Sequence, residues 1–134
     1  TWSLTNIGNM PLPYFVRLRG LTLDAARRAD IDAGVRRAAY QIIDGKGATY
    51  YGIGSALARI TRNILADRRS IMTVCTRTAE IAGVRDVTVS LPNLVGGDGV
   101  LETFHLPLND EEHAALSHSA GLIRGYVDRL HGAG

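Results

Sequence analysis

DGKGATYYGIGSALARITR, residues 44–62, contains the joint between two helical patterns, and that joint decides how the chain is read. Ile31, Val35, Ala38 and Ile42 follow one another at spacings of four, three and four residues. The same period resumes after Gly47 at Ile53, Leu57, Ile60 and Ile64. Each stripe puts its apolar side chains on one face of a helix. Between the stripes lie Gly45, Lys46 and Gly47. A glycine inside a helix costs about 1 kcal/mol relative to alanine, so two of them around a lysine predict a bend rather than uninterrupted helix. Thr49, Tyr50, Tyr51 and Ile53 are then expected in the first turn of the second helix.

Upstream, Pro11, Pro13, Gly8 and Gly20 predict an extended entry, a short helical turn over 14–18 and a loop. Thr22 is the expected N-cap of a first long helix over 23–44, with Asp24 in its first turn and Arg27, Arg28, Arg36 and Arg37 largely on its wet side. From Ser70 the period changes to two. Ile71, Thr73 and Cys75 alternate with Met72, Val74 and Thr76, and Val87, Val89 and Leu91 alternate with Thr88 and Ser90. Val100, Glu102, Phe104 and Leu106 share one face. Gly83 and the run Gly96-Gly97-Asp98-Gly99 separate three strands, which short turns make antiparallel, with Pro92 and Pro107 at strand ends. Asn109, with Glu112 three residues on, caps a last helix carrying Leu116, Ala120, Ile123, Val127 and Leu130. Two helices, a sheet and a helix give an α+β fold, an antiparallel sheet of three or more strands packed with long helices, over 1–134 as a single domain.

Composition narrows the function classes. The chain has 134 residues, 46% of them apolar and 21% charged, which suits one globular domain with a core. Its net charge of +2 is spread along the sequence and only 6% of residues are aromatic. A nucleic-acid surface concentrates basic residues and interleaves them with aromatics, so no nucleic-acid partner is expected despite a pI near 9.0. Cys75 stands alone, reads as a buried thiol, and has no intrachain partner for a disulfide. Without an apolar run long enough to cross a bilayer or a signal-peptide pattern, the expected location is cytoplasmic and no membrane partner is expected.

Motifs that carry chemistry are sparse. Gly52-x-Gly54 has Leu57 where a dinucleotide fingerprint has its third glycine, and a helix rather than a strand precedes it. Gly96-Gly97-Asp98-Gly99 lies between strand patterns and lacks the Lys-Ser/Thr ending of a phosphate loop. His113 and His118 are five residues apart and fall on different helix faces, so no metal pair forms, and all four histidines read as surface or edge residues. Asp110-Glu111-Glu112 complements a helix dipole. There is no Gly-x-Ser-x-Gly elbow. Read without a family, Thr49 is a helix-start threonine whose hydroxyl bonds to nearby backbone. Tyr40 is a half-buried tyrosine on an amphipathic helix.

Lys46-Gly47-Ala48-Thr49-Tyr50-Tyr51-Gly52-Ile53, with Ser55-Ala56-Leu57-Ala58-Arg59-Ile60-Thr61 after it, resembles the substrate-side helix of bacterial L-lactate dehydrogenases. The likeness runs from Trp2-Ser3 through Arg19-Gly20-Leu21-Thr22, Ala38-Ala39-Tyr40 and Ser70-Ile71-Met72-Thr73-Val74. It continues through Asp86-Val87 and Leu91-Pro92 to Leu108-Asn109-Asp110-Glu111-Glu112. This resemblance implies the C-terminal domain of an enzyme that interconverts pyruvate and L-lactate with NADH and NAD, working as a homo-oligomer, a tetramer at full length. It implies that Thr49 lines the substrate pocket beside the methyl of pyruvate and that Ile53 packs near the nicotinamide ring. It implies a candidate subunit interface on the stripe over 49–64. In the family the catalytic histidine, the aspartate that orients it, the arginine fork and the nucleotide-binding domain all precede the position matched by Trp2-Ser3. No catalytic residue or metal ligand is therefore expected here, NAD is expected to be held mainly by the N-terminal domain, and the isolated chain is expected to be inactive. A malate or other 2-hydroxyacid dehydrogenase domain and a non-catalytic oligomerisation module are the alternatives.

Overall fold

The computed structural model describes residues 1–132. Trp2–Thr61 form one compact unit and the residues from Arg62 onward form the other. The first unit opens with a small antiparallel hairpin, β1 (Asn6–Ile7) and β2 (Met10–Pro11). Its two-residue turn, Gly8 and Asn9, has positive φ at both positions, which matches the twist that hairpins need. Helix α1 (Leu12–Leu18) follows, with Leu12 buried. It ends where Gly20 turns left-handed, the Gly20 N–H reaching the Arg17 carbonyl and the Leu21 N–H reaching that of Val16. Those two bonds satisfy carbonyls that the helix end would otherwise leave without donors.

Helix α2 (Ala25–Lys46) begins later than the sequence predicts. Asp24, not Thr22, is the N-cap, its Oδ1 accepting from the Arg27 backbone N–H at 2.8 Å, so the residue expected in the first turn closes the helix instead. The joint is also narrower than the glycine spacing implied. Gly45 stays helical, and the break falls at Gly47, whose φ of 77° is left-handed. A side chain there would cost about 1–2 kcal/mol. Helix α3 (Tyr51–Leu65) resumes after it. Thr49 therefore lies in the connection, not in the first turn of α3 as expected. No residue of α2 is buried in this chain, so its four arginines are exposed, but so is its apolar stripe: Val35 is 72% accessible. Tyr40, read as half-buried, is 69% accessible because it stands on that uncovered helix.

The second unit is built on three antiparallel strands, β3 (Ser70–Ile81), β4 (Val84–Gly96) and β5 (Gly99–Thr103), with β4 in the middle. Ile81 faces Val84 across Ala82 and Gly83, both at positive φ, and this tight turn fixes the register Val74 to Leu91 and Thr76 to Val89. Val87, Val89, Leu91, Asn93 and Val95 are buried, as the period-two reading requires of one face. Helix α4 (Asp110–Gly132) sets Ala120 against Val87, Val89 and Leu91, with Ile81 and Val84 packed beside them. Asn109 caps it as expected, accepting from the Glu112 backbone N–H at 2.9 Å. Leu116 and Val127 are half-buried, while Ile123 and Leu130 of the same stripe are exposed.

Strand expectations fail in three places. The last strand is shorter than expected: β5 stops at Thr103, so Phe104 and Leu106 lie beyond it and Pro107 does not mark its end. Pro92 does not end a strand; it sits inside β4 opposite Thr73. Its carbonyl accepts from the Phe104 N–H at 2.9 Å. The nitrogen and carbonyl of a strand residue point to the same side, so the missing donor faces the place where β5 has just ended. Cys75 is exposed rather than buried, because it shares the uncovered face of β3 with Ile71 and Thr73 while Val74 and Thr76 are turned inward.

Asn93 is completely buried, and its amide is fully used. Its Nδ2 donates to the carbonyls of Val74 and Leu91 at 3.0 and 2.7 Å, and its Oδ1 accepts from the Thr103 hydroxyl at 2.6 Å. One side chain thus ties β3, β4 and β5 together. Asn93→Ala removes these bonds and opens a cavity, and is expected to lower stability by about 3 kcal/mol. Urea unfolding measures this, and an unchanged midpoint would show that the network contributes nothing.

Three carboxylates are held below their ordinary range. The backbone N–H of Gly97 does this for Asp67, with Arg69 adding to it. A hydrogen bond from Arg77 does it for Asp86, with Arg124 adding to it, and a hydrogen bond from Arg124 does it for Asp128. Each carboxyl binds its proton more weakly folded than unfolded. The stability that they contribute is therefore present above the ordinary carboxyl value of 3.8 and is lost as pH falls through and below it. Melting temperatures between pH 7 and pH 3 should decline in that lower window, and Asp86→Asn should make the decline shallower. An identical decline in the variant would exclude Asp86 as a contributor.

Candidate functional site

The backbone turns left-handed at Gly47, and the end of α2, the connection after it and the start of α3 line an open groove of about 370 Å³. One wall is the uncovered stripe of α2, Val35, Ala38, Ala39 and Ile42, whose spacing brings them to one face. The other is Thr49, Tyr50, Tyr51, Gly52 and Ile53, and Lys46 stands at the corner. Thr49 and Ile53, the two residues that the resemblance singles out, thus line the same groove. Both are exposed, Ile53 at 61%.

The corner has a chemistry of its own. The rings of Tyr50 and Tyr51 lie 4.6 Å apart, tilted by 54°. The Lys46 ammonium sits 5.2 Å from the first centroid and 4.8 Å from the second, where the ring quadrupoles attract a cation. Among the described residues Lys46 is the only cation on the groove wall. Sequence reasoning missed Lys46, Tyr50, Tyr51, Ala38 and Ala39 as lining residues.

Elsewhere the candidate motifs fall out. Gly52 and Gly54 lie inside α3, where no phosphate-cradling loop can form, and Gly97 and Asp98 make the turn between β4 and β5. All four histidines are exposed. Among the described residues no three His, Cys, Asp or Glu side chains gather to hold a metal ion, and no helix is long and apolar enough to cross a membrane. The chain can offer a substrate an apolar wall, a threonine hydroxyl, two phenols and one ammonium.

Residues 1–129 match the sequence model of the lactate/malate dehydrogenase alpha/beta C-terminal domain. The chain belongs to that family. Relatives named L-lactate dehydrogenase include those of Geotalea daltonii, 50% identical over 129 residues, and Thermus aquaticus, 48% identical over the same length. In each case the match takes in 96% of this chain but 41% and 42% of the relative. The chain thus spans about two fifths of the length of the curated relatives it matches. Solved structures agree in fold. A lactate dehydrogenase from a Medee basin deep-sea metagenome library superposes with a TM-score of 0.86 at 33% identity, over 95% of this chain and 40% of that one. The minor L-lactate dehydrogenase of Enterococcus mundtii, in its ligands-bound form, gives 0.87 at 30% identity, over 96% and 41%. The α+β architecture with its three-stranded antiparallel sheet is that of lactate dehydrogenase C-terminal domains.

Proposed function

We propose that these residues form, as one functional domain, the substrate-side part of a cytoplasmic, NAD-dependent L-lactate dehydrogenase that reduces pyruvate to L-lactate and runs the reverse reaction. The observation that carries this reading is the meeting of Thr49 and Ile53 in one open groove beside an apolar wall. Thr49 bounds the space for the substrate's methyl group: its side chain is short, adds a hydroxyl, and offers no positive charge to a second carboxylate. Ile53 is an exposed branched apolar side chain one helical turn further on, suited to lie against a flat ring such as nicotinamide.

The residues present fit NAD in that one respect only. Gly52 and Gly54 are helical and form no cradle for its phosphates, so the dinucleotide is held by parts of the enzyme outside these residues. When bound, NADH supplies the hydride. This chain's residues shape one side of the pocket.

The enzyme works as a homo-oligomer, a tetramer in our reading, for which the exposed stripe of α3, Ile53 and Leu57, is a candidate contact. The runner-up substrate class within the family is oxaloacetate. Steady-state rates of the full-length protein with NADH and each oxo acid decide between them: kcat/KM is expected to favour pyruvate, and a preference for oxaloacetate would make this a malate dehydrogenase domain.

A further inference from the structure

Helix α4 is fastened to its sheet in two chemically different ways. Its first half is held by apolar burial, with Ala120 fully enclosed on Val87, Val89 and Leu91. Its second half has little of that. Leu122 is 54% accessible, Tyr126 62% and Leu130 78%. From this half Val127 is half-buried, and Arg124 reaches the sheet through polar contacts. Its Nη1 donates to the carbonyl of Asp86 at 2.7 Å and to the carboxylate of Asp86 at 2.9 Å, and its guanidinium also pairs with Asp128 four residues on. The other oxygen of Asp86 accepts from Arg77 of β3 at 2.5 Å. Asp86 has a φ of +50° and no ladder partner, although its neighbours Arg85 and Val87 pair with Glu80 and Thr78.

We infer that this cluster is a clasp: Arg124, Asp86 and Arg77 hold the distal half of α4 on the sheet, and that half can be released while the core beneath Ala120 stays folded. Three features support a separable unit. A non-glycine residue at positive φ inside a strand is strained and persists only where its surroundings hold it. Gly121 and Gly125 flank Arg124, and a Cβ at either would meet nothing within 4 Å, so they weaken the helix locally without a packing reason. Fastening by exposed ion pairs is screened by salt, whereas apolar burial is not. The charged groups around the clasp are Arg77 from β3, Asp86 from β4, and Arg124, Asp128 and His131 from α4. Acid that protonates Asp86 and Asp128 acts in the same direction as salt.

Amide hydrogen exchange of the purified protein tests this. In Arg124→Met, and independently in Asp86→Asn, amides over 124–130 should exchange about tenfold faster while those of Val87, Val89 and Leu91 keep their protection. Raising salt to about 1 M should do the same in the unmodified protein. Gly125→Ala should slow exchange over the same segment. Should Arg124→Met fail to fold, Asp86→Asn and the salt series carry the test. Parallel acceleration in β4 would show that α4 and the sheet open as one unit, and unchanged exchange over 124–130 would show that the cluster fastens nothing. Either result overturns the clasp.

Discussion

Thr49→Arg in the full-length enzyme is expected to lower kcat/KM for pyruvate on the order of 100-fold or more while shifting the relative preference toward oxaloacetate. Thr49 is exposed in the connection between α2 and α3, and folding asks little of its side chain. The substitution therefore acts on the groove rather than on the core. A guanidinium fills space that the threonine leaves open opposite the α2 wall. On the proposed reading it also places a charge where the substrate's methyl group would lie and cannot pair with it, a cost that a second carboxylate on the substrate would relieve. Thr49→Ser keeps the size class and should change rates only a few-fold. Steady-state kinetics with both oxo acids, beside a circular dichroism spectrum showing an intact fold, give the answer. A pyruvate-to-oxaloacetate ratio unchanged by the arginine would take Thr49 out of the pocket.

Period and capping made most of the fold legible. The alternation of Val87, Val89 and Leu91 was readable because one face of β4 is covered and the other is not. Asn109 was readable because an amide oxygen before an acidic first turn has one obvious use. Cys75 was not. Both faces of β3 carry similar mixtures, Ile71, Thr73 and Cys75 against Met72, Val74 and Thr76, so polarity along the strand does not choose the covered side. The register with β4 makes that choice, pairing Cys75 with Ser90 and Thr76 with Val89. Pro92 misled because a missing N–H matters only where a neighbouring strand needs it, and that depends on where β5 stops.

The two long helices show a different limit. Their stripes were correctly periodic, but periodicity cannot say what covers a stripe. On α2 no residue is buried, and the amphipathic reading became an exposed face along the groove. Thr49 and Ile53 were singled out only through the family likeness, since a threonine and an isoleucine four residues apart carry no chemical pattern of their own. The contact of Lys46 with two tyrosine rings needed coordinates, because a left-handed Gly47 lies between the lysine and the rings and no regular helix period spans them.

A polypeptide of these 134 residues alone should show no dehydrogenase turnover: with NADH and pyruvate, the absorbance of NADH should stay flat. Reduction of a carbonyl needs a proton donor at its oxygen and a fixed carboxylate as well as a wall for the methyl group. The groove supplies the wall. Neither histidine nor arginine lines it, and its one cation, Lys46, lies over two tyrosine rings. The histidines are on the surface and Arg124 is spent on Asp86 and Asp128. Losing positioning and proton transfer together removes several orders of magnitude in rate, far more than a pocket wall returns. On the proposed reading, in which the proton donor and the carboxylate anchor lie in parts of the enzyme outside these residues, adding the remaining polypeptide of a relative such as the Thermus aquaticus enzyme, of which the match spans 42%, should restore measurable turnover. Clear oxidation of NADH by the isolated chain at ordinary protein concentrations would mean that the catalytic groups are within these residues and that the groove has been assigned too small a role.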